Sequence, residues 1–272
     1  MKLLFCGDVV GRSGREAVLK EIPRLKEKHA LDVIVLNGEN SAGGFGITGT
    51  IGKSFFDAGV DIITTGNHVW RQKDVVSYIS NEKRLLRPMN YSNKKLPGAG
   101  IGVHKMKDGR NFVVLHALGR LFMPDQVDCP FYAIDEVLEA VNLSNKNVAG
   151  IMLDFHGEVT SEKMAMGHFL DGRVSFVVGT HTHVPTADAM ILPNGTAYQS
   201  DAGMCGDYNS VIGMDKKIPI AKFLGKLVDA KMEPAMGEAT LCGCLVEISD
   251  ETGLATKIDP IRIGGVLSQT GA

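Results

Sequence analysis

Five short apolar runs in this chain each stop beside residues able to bind a cation, and this repeated punctuation constrains the fold more than any other feature. Lys2 to Cys6 ends in Gly7-Asp8, Val33 to Leu36 in Asn37-Gly38-Glu39-Asn40, and Ile62 to Thr65 in Gly66-Asn67-His68. Gly150 to Asp154 runs into Phe155-His156-Gly157, and Val174 to Val178 into Gly179-Thr180-His181-Thr182-His183. Short apolar runs of this kind are strands covered on both faces, and open α/β sheets bind ligands beyond the carboxyl ends of their strands. The pattern therefore gathers Asp8, Glu39, Asn40, Asn67, His68, His156, His181 and His183 at strand exits. His181 and His183, at i and i+2 after a strand, bring two imidazoles near one spot, and imidazole is the commonest protein ligand for metals. Alone, that pair suits two structural histidines equally well; its company favours a metal centre.

Between the runs lie helical stretches, Arg12 to Lys28, Thr48 to Ala58 and Tyr132 to Val141, so the first part of the chain reads as a largely parallel core. Asn111 to His116 and Ala149 to Phe155 continue the strand series. After Val178 the pattern changes. Met190 to Leu192, Thr196 to Gln199 and Gly243 to Ile248 are separated by turns such as Pro193-Asn194-Gly195, which predicts antiparallel hairpins on a second sheet. Two packed sheets with helices outside satisfy this pattern within one domain spanning 1–272. The Asn-, Lys-, Gly- and Pro-rich stretch Ser80 to Lys107 is the expected irregular excursion, of the kind that caps a site.

Charge and cysteine usage narrow the function. Lys and Arg number 29 against 31 Asp and Glu, a formal charge of −2, which argues against a broad nucleic-acid or anionic-membrane surface. The apolar start Met1 to Cys6 is too short for a signal peptide, and no stretch approaches the roughly 20 apolar residues a membrane crossing requires. Five cysteines, an odd number, give no disulfide framework. Together these features predict a cytoplasmic location.

The order Gly-Asp, Gly-Glu-Asn, Gly-Asn-His, a lone His and Gly-x-His-x-His resembles the calcineurin-like metallophosphoesterases. Gly7-Asp8-Val9-Val10-Gly11-Arg12-Ser13-Gly14-Arg15, the segment 37–44, Gly119-Arg120-Leu121-Phe122-Met123, Ser200-Asp201-Ala202-Gly203-Met204 and Ser210-Val211-Ile212-Gly213-Met214 resemble more closely its bacterial YmdB-like subfamily of 2′,3′-cyclic-nucleotide phosphodiesterases. The resemblance implies a four-layer α/β/β/α sandwich of two mixed sheets flanked by helices. It also implies two divalent or trivalent ions per chain, with iron or manganese favoured and zinc an alternative. Glu39 would bridge them, Asp8, Asn40 and His183 would complete one ion, and Asn67, His156 and His181 the other. His68 would stand outside the ligand set as the general acid while a hydroxide held between the ions attacks a cyclic nucleotide. The implied partners are small nucleotides, with RNA ends a second class, and further copies of the chain.

Three departures from the wider superfamily stand out. Asp8-Val9-Val10 lacks the histidine of the usual Asp-x-His, Glu39 replaces an aspartate, and Val69-Trp70 follow His68 where an acidic residue is common. What orients His68 is therefore open. A phosphomonoesterase or protein phosphatase on the same centre, and a metal-containing regulatory protein that binds nucleotide or RNA with little turnover, are the competing functions.

Overall fold

In the computed structural model, described for residues 1–271, the apolar runs become the strands of two stacked sheets. In the first sheet β1 (Lys2–Cys6), β3 (Val33–Asn37) and β4 (Ile62–Thr64) lie parallel; β12 (Leu241–Ile248) pairs antiparallel with β1, and β13 (Ala255–Ile263) lies outside it. In the second, β6 (Asn111–Leu118), β7 (Val148–His156), β8 (Phe176–Thr180) and β10 (Ala197–Gln199) are parallel. Its edges are the antiparallel β5 (Ile101–Lys105) and β9 (Met190–Ile191). A short parallel pair, β2 (Asp8–Val9) with β11 (Met204–Cys205), sits just beyond β1.

Side-chain alternation sorts each strand's residues between two apolar layers. Leu3, Phe5, Val33, Val35 and Ile62 face Phe112, Val114, Met152, Phe176 and Val178 across the gap between the sheets. The opposite face of the first sheet, Leu4, Ile34, Leu36 and Ile63, packs on Val18, Ile22 and Leu25 of α1 (Gly11–His29), Phe55 of α2 (Gly49–Asp57) and Ile79 of α3 (Val75–Asn81). The outer face of the second, Leu115, Ile151, Leu153 and Val177, packs on Ile134 and Leu138 of α4 (Pro130–Ala140) and Met166 of α5 (Thr160–Phe169). Each fully buried aliphatic or aromatic side chain contributes about 1.5–3 kcal/mol, so these layers lock both sheets in register. The result is the four-layer α/β/β/α sandwich.

The chain changes sheets earlier than its patterning suggests. The sequence places the break after Val178, whereas 101–118 already belong to the second sheet and 241–248 return to the first, beside β1. Periodicity identifies a strand but not its partner, and the partner of β12 lies some 240 residues away. The segment 80–107 contributes β5 and the isolated pairings Ile63–Leu85 and Leu86–Ala99, so much of it extends the sheets. Four of the five cysteines are buried and all are free thiols.

Candidate metal centre

Every residue singled out at a strand exit lies at the carboxyl edge of the two sheets. Asp8 follows β1, Glu39 and Asn40 follow β3, Asn67 and His68 follow β4, His156 ends β7, and His181 and His183 follow β8. Their ligating atoms form two triads, Asp8–Glu39–His183 and Glu39–His156–His181, each with all atoms within 4.8 Å of one another, and the two share Glu39. Asn40 Nδ2 lies 3.0 Å from His183 Nε2, and Asn67 Oδ1 lies 3.2 Å from His156 Nε2, so one carboxamide adjoins each triad. Such close approach requires Gly66: a Cβ there would come within 2.0 Å of Glu39 Oε2 and 2.5 Å of His156 Nε2.

The donor set fits cations. Asp8 is fully buried and its Oδ1 has no hydrogen-bond partner, an arrangement that costs free energy unless a positive charge meets it. Burial pushes the Asp8 carboxyl well above its usual range, with His156 opposing. Burial acts on Glu39 in the same sense, but the charges and hydrogen bonds of His156 and His68 hold it well below the ordinary carboxylate value. His156 would be lowered by burial, yet the Glu39 and Asp8 carboxylates outweigh that and raise it to about 9. Burial and His156 push His181 down to about 3, and burial lowers His183, so both are neutral imidazoles ready to ligate.

A second layer orients these groups. His156 Nδ1 lies 2.8 Å from Thr180 Oγ1, and that hydroxyl donates to Asp154 Oδ1 at 2.6 Å. The threonine oxygen therefore accepts from His156 Nδ1–H, which turns Nε2 into the centre. Asp154 is itself buried and held by Thr64 Oγ1 at 2.5 Å and Asn37 Nδ2 at 3.0 Å. His183 Nδ1 donates to the Ile212 carbonyl at 2.8 Å, which leaves its Nε2 facing Asn40. Hydrogen bonds of this kind from a ligand's outer nitrogen set its tautomer and basicity.

The His181–His183 turn is strained, with φ of 104° and 67° at the two histidines. Asp201 holds it: Oδ2 accepts from the Thr182 amide at 3.1 Å and hydroxyl at 2.7 Å, and from Lys163 Nζ at 2.8 Å. Lys163 and Asp201 are both almost fully buried, so each ion needs the other.

His68 stands beside the triads with its Nδ1 2.8 Å from Asn40 Oδ1 and its backbone amide donating to Glu39 Oε2 at 3.2 Å. The orienting group left open by Val69 is thus the Asn40 carboxamide. The amide's orientation is set by its other end, where Nδ2 donates to Glu39 Oε1 at 3.1 Å and faces the free lone pair of His183 Nε2. Asn40 Oδ1 therefore accepts from His68 Nδ1–H, which turns Nε2 toward the cavity.

Sequence reading gives Thr180, Thr64 and Lys163 no role, and Asp154 and Asp201 enter it only as the end of an apolar run and as part of the 200–204 motif. Thr64, Asp154 and Thr180 signal themselves as polar residues in otherwise apolar strands, whereas Lys163 stands among Thr160, Ser161 and Glu162 in a helix where polarity is ordinary. Residues 80–107 do not line the cavity over the centre. That wall comes from 211–232, a region whose helix α6 (Lys217–Phe223) is short and contains Pro219, and therefore leaves little periodicity.

Known proteins share this arrangement of chain. The model of the YmdB-like protein family matches residues 4–261. The 2′,3′-cyclic-nucleotide 2′-phosphodiesterase of Bacillus subtilis (strain 168) is 43% identical over 263 residues, covering 97% of each chain. A crystal structure of a hypothetical protein from Thermus thermophilus superposes with a TM-score of 0.89 at 37% identity, over 98% of this chain and 100% of that one. A crystal structure described as a novel phosphatase of Mycoplasma pneumoniae gives 0.89 at 34% identity, over 97% and 93%. The strand exits, the two sheets and the likeness from end to end agree, and the chain belongs to the YmdB-like protein family of metallophosphoesterases.

Proposed function

We propose that this protein is a metal-dependent phosphodiesterase that hydrolyses cyclic nucleotides, with 2′,3′-cyclic nucleotides as its principal class. The observation that carries this reading is the pair of triads sharing Glu39. Asp8, Glu39, Asn40 and His183 would hold one ion, and Glu39, Asn67, His156 and His181 the other. Bound there, such ions supply Lewis acidity toward the phosphodiester and acidify water for in-line attack. The Bacillus subtilis relative carries the same substrate class in its name.

The remaining work falls to this chain's side chains. As the imidazolium, His68 gives its Nε2 proton to the ribose oxygen as the P–O bond breaks, while Asn40 Oδ1 holds the ring through Nδ1–H. Such proton transfer is worth about 10²–10⁴-fold in rate. Thr180 and Asp154 keep His156 turned inward, and Asp201 with Lys163 keeps His181 and His183 in place. The mixed nitrogen and oxygen donors suit iron or manganese, with zinc the alternative. No helix among the described residues is long and apolar enough to cross a membrane. Free thiols accord with a cytoplasmic location. RNA ends as a second substrate class, and self-association, follow from the family resemblance.

The test is a panel of 2′,3′-cyclic, 3′,5′-cyclic and linear phosphodiesters plus a generic monoester, offered to metal-loaded wild type, Glu39→Gln and His68→Ala. The expected result is preferred 2′,3′-cyclic turnover, its abolition by Glu39→Gln, and loss of about 10²–10⁴-fold in His68→Ala with metal retained. A preference for monoesters would reassign the centre to a phosphatase. Two bound ions without turnover would assign it to a nucleotide-binding protein.

A further inference from the structure

The cavity over the candidate metal centre is two-faced. Its volume is about 700 Å³, within the range of about 300–1,000 Å³ usual for small-molecule sites. One end carries Glu39, His68, His181 and His183; the other is walled by Phe45, Val211, Ile212, Met214, Phe223 and Met232. A phosphodiesterase centre needs the first end. Nothing in the chemistry at phosphorus uses the second.

The apolar wall is built from two segments fastened to the centre. Phe45 stands edge-on to the His68 ring, with centroids 5.2 Å apart and planes at 77°. The other segment is a flap pinned at its base by the Asp215 amide to the Glu233 carbonyl at 2.9 Å and the Ala235 amide to the Gly213 carbonyl at 2.8 Å. Between these anchors α6 rises with Phe223 on the cavity and 89% exposed. The flap's near end is tied to the ligand set, since the Ile212 carbonyl receives His183 Nδ1–H and Ile212 holds φ of 46°, rare for a β-branched residue. Gly44 joins the two segments: its φ is +88°, and a Cβ there would meet Met214 Cε at 2.6 Å.

We propose, on the cyclic-nucleotide reading above, that this wall is the nucleobase subsite, with the base laid against Phe223 and the flap while its cyclic phosphate reaches the metal-binding end. An exposed aromatic ring continuous with a phosphate-directed centre matches a ligand that is a flat apolar ring at one end and an anion at the other. Apart from Lys222, the wall is made of carbon and sulfur side chains, which recognise a base by its face. Every base has a π-face, so the subsite is tolerant of base identity, and purines gain over pyrimidines through area.

The test compares metal-loaded wild type, Phe223→Ala and Phe223→Trp on adenosine and cytidine 2′,3′-cyclic phosphates and on the base-less 1-O-methylribose 2′,3′-cyclic phosphate. Wild type should favour the nucleotides over the base-less diester by at least about tenfold in kcat/KM, with adenosine and cytidine substrates within about tenfold of each other. Phe223→Ala should shrink the nucleotide-to-base-less ratio about tenfold, mainly through KM, and Phe223→Trp should restore it. A wild-type ratio near one, or equal losses on all three substrates in Phe223→Ala, overturns the subsite. If wild type turns over none of them, the phosphodiesterase reading fails separately. The same ratio, taken as affinities of adenosine 3′-monophosphate and ribose 3-phosphate by calorimetry, then decides the subsite. Sedimentation showing dimers that Phe223→Ala dissociates, together with an unchanged affinity ratio, would give the wall to a second copy of the chain and overturn it likewise.

Discussion

His156 sits where three carboxylates converge, and the proton it holds at about pH 9 belongs to the chelated protein alone. Its folded pKa exceeds the unfolded value near 6.5, so the stability it contributes is full below about 6.5 and is lost as pH rises through about 9. Urea melts of the chelated protein at pH 6, 7.5 and 9 should show that decline, and a flat or rising trend would contradict it. The same proton must leave when a cation arrives. Ion uptake at pH 7.5 should release about one proton or more, Asp8 adding to the count, measurable by calorimetry in buffers of different protonation enthalpy. At this scale much was legible in sequence: Asp8, Glu39, Asn40, Asn67, His156, His181 and His183 each stand at a strand exit, where glycine and polar punctuation mark them. Asn40 facing His68 was not legible, because nothing in residue order says that a carboxamide after β3 meets a ring after β4.

Adjacent strands supply the second layer through register. His156 on β7 pairs directly with Thr180 on β8, which puts the threonine hydroxyl under the imidazole and Asp154, two residues earlier, under the hydroxyl. Thr180→Val keeps the shape and removes the acceptor. Metal affinity should fall about 10–100-fold, and stability by about 1–3 kcal/mol from the buried unpaired Nδ1–H. Competition titration with a chelator and thermal melts would measure both. Thr180→Ser should recover most of the affinity, and equal affinity in Thr180→Val would refute the relay. The element types of β1, β3, β4, β7 and β8 followed from apolar runs with turn residues behind them. The flap escaped because α6 is seven residues with a proline, too short for a helical stripe to declare itself.

Across the whole molecule, the candidate ligands come from five strand ends in two sheets, so a bound cation ties the sheets together at one edge. At a free ion concentration of 100 times Kd the stabilisation is about 2.7 kcal/mol, or roughly 5–10 °C in melting temperature for a chain of this size. Melts of wild type with and without chelator should differ by that amount, and melts of Glu39→Gln should differ little. Identical wild-type curves would exclude a cation from the centre. The four-layer architecture was readable from alternating runs and helices, whereas the division of strands between sheets was not, since it depends on pairings between distant parts of the chain.

The pairing of β1 with β12 has a consequence for how the protein is made. Lys2–Cys6 lies in the interior of its sheet, yet its neighbour Leu241–Ile248 is synthesised some 240 residues later. Until then the apolar β1 presents an open edge, the kind of surface on which unfinished chains stick to one another. A chain truncated before 241 would carry every candidate ligand and still lack the strand that closes this edge.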